Sequence, residues 1–308
     1  NVAIGLEALG ADTQGSRNIA IGNNALLLQN HTTATNSYNI AIGHSAALAN
    51  TVGVRNVAIG AFTLDADTKG QRSVGIGYAA LSAQNFTTAT ETYNTAVGYE
   101  AGNSLTTGIH NVLIGGGAGD ALTDADFNIA IGKGALSADT LGSSSIAIGE
   151  GALLNQNFTT ATAAHNVCVG HATGNQITNG ERNVIIGGLA GDGGQTHDDC
   201  VIIGYEAGAG ALTGHDNTFV GKDAGKAQTS GQANTYIGMN AGENVTTGSV
   251  NTFIGSSAGV GNPSNKLTGS NNTAVGQGAL QDVEGSGDGN TCIGRDSGTA
   301  ITTGVSNV

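Results

Sequence analysis

The stretch NIAIGNNALLLQNHTTATNSYNIAIG, Asn18 to Gly43, begins and ends on one word: Asn, a β-branched residue, Ala, Ile, Gly. With the Asn as position 1, units begin at residues 1, 18, 39, 56, 73, 94, 111, 128, 145, 166, 183, 200, 217, 234, 251, 272 and 290, and an eighteenth opens at Asn307. The step is 17 residues, except for four steps of 21 and one of 18. A fixed period of this length marks a stacked-repeat architecture, because one unit is too small to bury its own apolar side.

Two columns of the alignment are nearly invariant. Position 4 is always Ile or Val. Position 5 is always Gly: Gly5, Gly22, Gly43, Gly60, Gly77, Gly98, Gly115, Gly132, Gly149, Gly170, Gly187, Gly204, Gly221, Gly238, Gly255, Gly276 and Gly294. Glycine fixed after a β-branched run reads as a structural corner, where the backbone takes positive φ or passes close to a neighbour. Positions 2 to 4 then form a short strand. Position 8 is usually Ala and position 9 Leu or Gly, which reads as a second short strand, and a Gly at position 15 (Gly15, Gly53, Gly70, Gly108, Gly142) closes many units. No 3.6-residue apolar period appears. The expected fold is all-β, a parallel β-solenoid of about seventeen 17-residue coils running through residues 1–308 as one continuous array, about 80 Å long at the usual strand spacing. Both ends are in phase with the repeat, as in a segment of a longer fibre.

Composition supports a thin interior. Gly supplies 52 residues, there is no Trp, and one Pro, so a thick core of large side chains is not expected and a narrow Ile/Val core is. A net charge of −13 with ten Lys and Arg argues against nucleic acid as a partner. Cys168, Cys200 and Cys292 have no metal-ligand or redox spacing and read as small apolar residues. No run of 18 apolar residues predicts a membrane span. Position 1 is Asn in fourteen of the seventeen units, which predicts a ladder of stacked side-chain amides. Position 3 is apolar as well as positions 2 and 4. A strand apolar on both faces should be covered on both, one by the coil interior and one by another copy of the chain.

The words NVAIG, NIAIG, SIAIG and NTAVG, each followed by an xxAL or xxAG word, resemble the head repeats of YadA-like trimeric autotransporter adhesins, and related repeats occur in bacteriophage tail fibres. The resemblance covers the whole chain. It implies a left-handed β-roll, a homotrimer, an extracellular place on a cell or virion surface, adhesion to surface glycans or a host receptor, and no catalytic residues. The repeat units here are longer than those of the family.

Candidate contact residues follow from the register. Three of the four long units contain QNHTTATNSYN, QNFTTATETYN and QNFTTATAAHN, and the fourth reads GNPSNKLTGSNN from Gly261. The extra residues are expected to bulge outward as loops that carry Phe86 and Phe158. The residue ahead of the Asn column runs Arg17, Tyr38, Arg55, Arg72, Tyr93, His110, Phe127, a strip able to stack on itself or to grip sugar rings. Further on, Glu181, Asp198, Asp199 and Asp216 crowd one corner. They offer oxygen ligands for Ca²⁺ or Mg²⁺, unless Arg182 and His215 neutralise them. No nucleophile elbow, P-loop or HExxH is present, so no cofactor and no enzyme activity is expected. A polysaccharide-degrading solenoid is the catalytic alternative. An ice-binding surface would need one regular Thr array, whereas the Thr pairs of TTAT and TTG fall on irregular loops.

Overall fold

Each repeat contributes one three-residue strand at positions 2 to 4, and each strand pairs in parallel with its equivalent in the neighbouring turn. In the computed structural model, which describes residues 1–308, the chain is an all-β parallel solenoid of about seventeen turns with no helix. None of it is a helix long and apolar enough to cross a membrane. The turns group into two units, Asn1–Gly151 with Asn157–Ala163, and Ala152–Gln156 with Ala164–Val308. The first holds nine of the repeat strands, from Val2–Ile4 to Ile146–Ile148. The second holds eight, from Val167–Val169 to Thr291–Ile293.

Register survives the insertions. Val2 pairs with Ile19 across a 17-residue step, and Ile19 pairs with Ile40 across a 21-residue step. In the first unit the added residues make pairings of their own. Gly15–Ser16 lies beside Thr35–Asn36, Gly70–Gln71 beside Thr90–Glu91, and Gly142–Ser143 beside Thr162–Ala163.

The invariant glycines have φ between +131° and +143°, apart from +121° at Gly294. A Cβ added at Gly43, Gly98 or Gly221 would stand 2.5 Å from the carbonyl oxygen of the next turn's equivalent glycine. Both reasons for a fixed glycine, positive φ and close approach, therefore hold at this corner. The second short strand expected around positions 8 and 9 is not one. Positions 7 and 9 both lie near φ +50 to +65°, as at Glu7, Leu9, Asn24 and Leu26, so the backbone alternates hand there and cannot extend. Its hydrogen bonds still run between turns, as from Leu9 N to Ala25 O at 2.9 Å and from Asn24 N to Leu6 O at 2.9 Å.

The Asn column is buried and bonded three ways. Asn234 shows the pattern: its Oδ1 accepts from Asn251 N at 2.9 Å, its Nδ2 donates to Gly248 O at 2.9 Å, and Asn251 Nδ2 donates to the same Oδ1 at 3.2 Å. The amide ladder thus also closes backbone groups that the corner would leave unpaired.

The expected Ile/Val core is wrong in its residues. Position 3 points inward and is buried, whereas the Ile and Val of positions 2 and 4 point outward and stay partly exposed. The interior is built from position 3, the Ala column at position 8, and position 9. Sizes at 3 and 9 are complementary. Wherever position 3 is larger than Ala, as at Leu113, Cys168, Ile185, Ile202, Phe219, Tyr236, Phe253 and Cys292, position 9 is Gly. Most turns with Ala or Gly at 3, such as Ala20, Ala58 and Ala130, carry Leu at 9. A Cβ at Gly242 would lie 2.6 Å from Cδ2 of Tyr236, so each turn holds one large side chain across its width, not two. Phe219, Tyr236 and Phe253 stack inside the second unit at 5.0 and 5.1 Å between ring centroids.

Candidate functional site

The predicted strip ahead of the Asn column forms a real ladder in the first unit. Arg17 lies over the Tyr38 ring at 5.2 Å and Arg72 over Tyr93 at 5.4 Å. Tyr93 stacks on His110 at 5.3 Å, and His110 on Phe127 at 5.0 Å, with interplanar angles of 10° and 6°. Arg72 also pairs with Glu91 at 2.6 Å and donates to the Tyr93 hydroxyl at 2.9 Å, and that hydroxyl donates to Glu91 at 2.9 Å. Arg55 occupies the same column and is exposed. All seven residues have φ between +50° and +64°, which turns their side chains out of the coil. Stacked rings cover each other's faces and show solvent their edges, so the geometry favours self-stacking over gripping a sugar face, except at Phe127, where the column ends against Ser144.

A second exposed aromatic strip follows the glycine corner of the first unit. His44 meets Phe62 at 5.2 Å, Phe62 meets Tyr78 at 5.9 Å, and Tyr78 stacks on Tyr99 at 5.5 Å. Its signal in the sequence was an aromatic residue one or two places after the invariant Gly.

Phe86 and Phe158 are not protruding contacts. They are 7% and 6% exposed. The insertion folds down because each backbone N–H at these positions donates to a carboxylate of the preceding turn, Phe86 N to Asp67 at 3.3 Å and Phe158 N to Asp139 at 3.1 Å. The Phe158 ring then covers Gly142, where a Cβ would be 2.8 Å away. The Thr-Thr-Ala tips, Thr32 to Ala34, Thr87 to Ala89 and Thr159 to Ala161, are exposed.

Behind each tip lies a buried polar constellation that the residue patterns did not reveal. Asp67 accepts from Gly70 N at 2.9 Å and from Gln84 Nε2 at 2.6 Å, while Gln84 Oε1 accepts from Asn94 Nδ2 at 2.9 Å. Asp12, Gln29 and Asn39 repeat the arrangement at 2.8, 2.9 and 2.7 Å. Burial raises the Asp67 pKa above the usual carboxylate range, and its hydrogen bonds from Gln84 and the backbone oppose that rise. The signal was the word ADTxG, whose Asp (Asp12, Asp67 and Asp139) stands 17 residues ahead of each QN.

Two of the four crowded carboxylates of the second unit, Glu181 and Asp199, find a basic partner. Arg182 binds Asp199 through Nε at 2.7 Å and Nη2 at 2.9 Å, and Glu181 through Nη1 at 2.7 Å. Arg182 holds the Asp199 carboxyl below its ordinary range. Asp198 accepts from Glu181 N at 2.7 Å and lies 3.6 Å from His215 Nδ1. Asp216 donates its N–H to Asp198 O at 3.2 Å and is exposed. No three His, Cys, Asp or Glu side chains converge closely enough to hold a metal ion.

His197 stands at position 15 of its unit, where many others have Gly. It is buried, and neither ring nitrogen has a hydrogen-bond partner. Burial pushes its pKa down to about 4, with the Leu212 backbone and Asp198 pulling weakly upward and His215 downward. The unfolded chain binds this proton near pH 6.5 and the folded one only near 4, so the contribution is flat above about 6.5 and is lost as pH falls between the two. The loss amounts to about 3 kcal/mol. Denaturant titrations of wild type and His197→Gly at pH 7.5 and 4.5 check this. The wild type should lose about 3 kcal/mol more than the variant on acidification, a comparison that cancels the opposite effect of Asp67 and other raised carboxyls.

No family model matches this chain, and no curated protein matches it in sequence.

Proposed function

We propose that the chain is a segment of a non-catalytic extracellular fibre whose copies pack side by side through the outward faces of their strands. The observation that carries this reading is the Ile and Val of positions 2 and 4. In the first unit they form two columns on the outside of nearly every turn, only partly covered, while position 3 beneath them is already sealed. A surface of this kind favours association with its own copies, because every turn repeats the same complementary shape. The resemblance to YadA-like heads and tail-fibre repeats supports three copies, a left-handed coil and a place on a cell or virion surface. The parts left for contact with glycans or a receptor are the two aromatic strips and the Thr-Thr-Ala tips. Weak contacts repeated along such a fibre add through multivalency.

Sedimentation equilibrium of the whole chain tests this reading. The expected mass is three times that of one chain, falling toward one when Ile42→Asp and Ile59→Asp place carboxylates on the outward face. A wild type that sediments as a single chain at micromolar concentration contradicts it.

A further inference from the structure

The three insertions of the first unit share a second word. Asn30-His31-Thr32, Asn85-Phe86-Thr87 and Asn157-Phe158-Thr159 each place an Asn two residues ahead of a Thr, with no Pro between. Asn-X-Thr on an accessible loop is the acceptor pattern for asparagine-linked sugar. We propose that Asn30, Asn85 and Asn157 are glycosylation sites, each taking a sugar on Nδ2 from a diphosphate-activated donor.

The same local geometry recurs at all three sites. Each Asn is exposed, each middle residue is buried, and each Thr is exposed again. The middle side chain therefore anchors the segment while the Asn and Thr on either side of it face solvent. The Asn Oδ1 accepts a hydrogen bond from the Thr of the preceding turn's ADT word: Thr13 to Asn30 at 2.8 Å, Thr68 to Asn85 at 3.0 Å, and Thr140 to Asn157 at 3.1 Å. That bond holds the amide by its oxygen. Nδ2, the atom that would carry the sugar, makes no hydrogen bond within the protein, and neither do the hydroxyls of Thr32, Thr87 and Thr159. Both groups of the acceptor pattern are thus left for a transferase to engage, on backbone that belongs to no strand.

Two further copies of the pattern lack this geometry. Asn244 is half-buried and its Nδ2 donates to Gly261 O at 3.3 Å, the Thr246 hydroxyl donates to Leu267 O at 3.4 Å, and Val245 between them bridges to Leu267. Asn271 is exposed, but its Thr273 opens a strand paired on both sides, with Thr252 and with Thr291. By residue pattern the five copies are equal, and the structure singles out the three of the first unit.

In the transfer, Nδ2 attacks C1 of the sugar. An N–C bond forms as the C1–O bond to the diphosphate breaks, the diphosphate leaves with the bonding pair, and the amide proton passes to a base of the transferase. The donor is a nucleotide-linked or lipid-linked sugar, and the enzyme is a separate glycosyltransferase. A bulky neutral group beside each exposed tip adds hydration to a chain in which only 11% of residues are charged.

This inference goes beyond the fibre reading, and peptide masses judge it whatever the number of copies. The whole chain is isolated from its own cells, digested and mapped by mass spectrometry. Sugar is expected on Asn30, Asn85 and Asn157 and absent from Asn244 and Asn271, a single unit per site marking a nucleotide-linked donor and an oligosaccharide a lipid-linked one. Thr87→Ala, made in the same cells, should lose the Asn85 sugar alone and leave the fold intact. Thr87→Ser should keep that sugar, and Thr246→Ala should leave all three in place. Bare asparagine at the three tips overturns the proposal. So does sugar on Asn244 or Asn271 to the same extent as on the tips, or a Thr87→Ala chain that still carries its sugar on Asn85.

Discussion

Gly60→Ala should destabilise the fold by about 4 kcal/mol, near the top of the range for a single substitution. Gly60 has φ +132°, and a Cβ there would lie 2.6 Å from the Gly77 carbonyl carbon and 2.9 Å from Thr63 Oγ1. The obstacle is backbone of the next turn, itself held by strand pairing on either side, so the clash cannot relax by rotating a side chain. Gly294→Ala is the matched control. It has φ +121° but nothing within 4 Å of the added Cβ, so it should cost only the backbone strain, about 1–2 kcal/mol. Denaturant titration of the two variants separates stacking from strain. Equal losses would mean that the turns do not press on each other at this corner.

The second large effect lies in the core. Phe253→Ala should cost about 3–5 kcal/mol, the usual range for emptying a buried aromatic site. Gly259→Leu should also destabilise on its own, because a Cβ there would already approach Cε2 and Cγ of Phe253 at 2.5 and 2.6 Å. The double variant should recover most of both losses. It recreates the Ala and Leu combination of Ala130 with Leu136 and Ala274 with Leu280, and those leucines have φ +54° and +53°, the same as Gly259. A double-mutant cycle measures the coupling, and simple additivity would refute the one-large-residue-per-turn rule.

The period, the strand at positions 2 to 4 and the glycine corner were legible in the residues because each is a local backbone demand repeated seventeen times. Which face of the strand is the interior was not. Val, Ala and Ile at positions 2, 3 and 4 are all apolar, and inside and outside differ here in volume more than in polarity. The turn is too narrow for Ile at both ends of its width, so Ala20 goes in and Ile19 and Ile21 go out. Phe86 misled for a related reason: an insertion that keeps register looks like a free loop until Asp67, seventeen residues before Gln84, is seen to hold it down. The strip from Arg17 to Phe127 was legible as a column, but the stacking that hides its ring faces depends on the positive φ of every member. His197 could be noticed only as a residue standing where glycine is customary.

The central claim is that successive turns lie on one another in the register set by the glycines. Ser256 and Gln277 occupy the same position in consecutive turns, and Gly278 N donates to Ser256 O at 3.0 Å. Register neighbours about 5 Å apart fall within the Cα separation a disulfide spans. The three native cysteines are buried and stay silent. The measurement is oxidation of Ser256→Cys/Gln277→Cys followed by non-reducing electrophoresis and peptide mapping. A near-complete bond within one chain is the predicted result. Free thiols, or bonds formed only between chains, would contradict the stacked architecture.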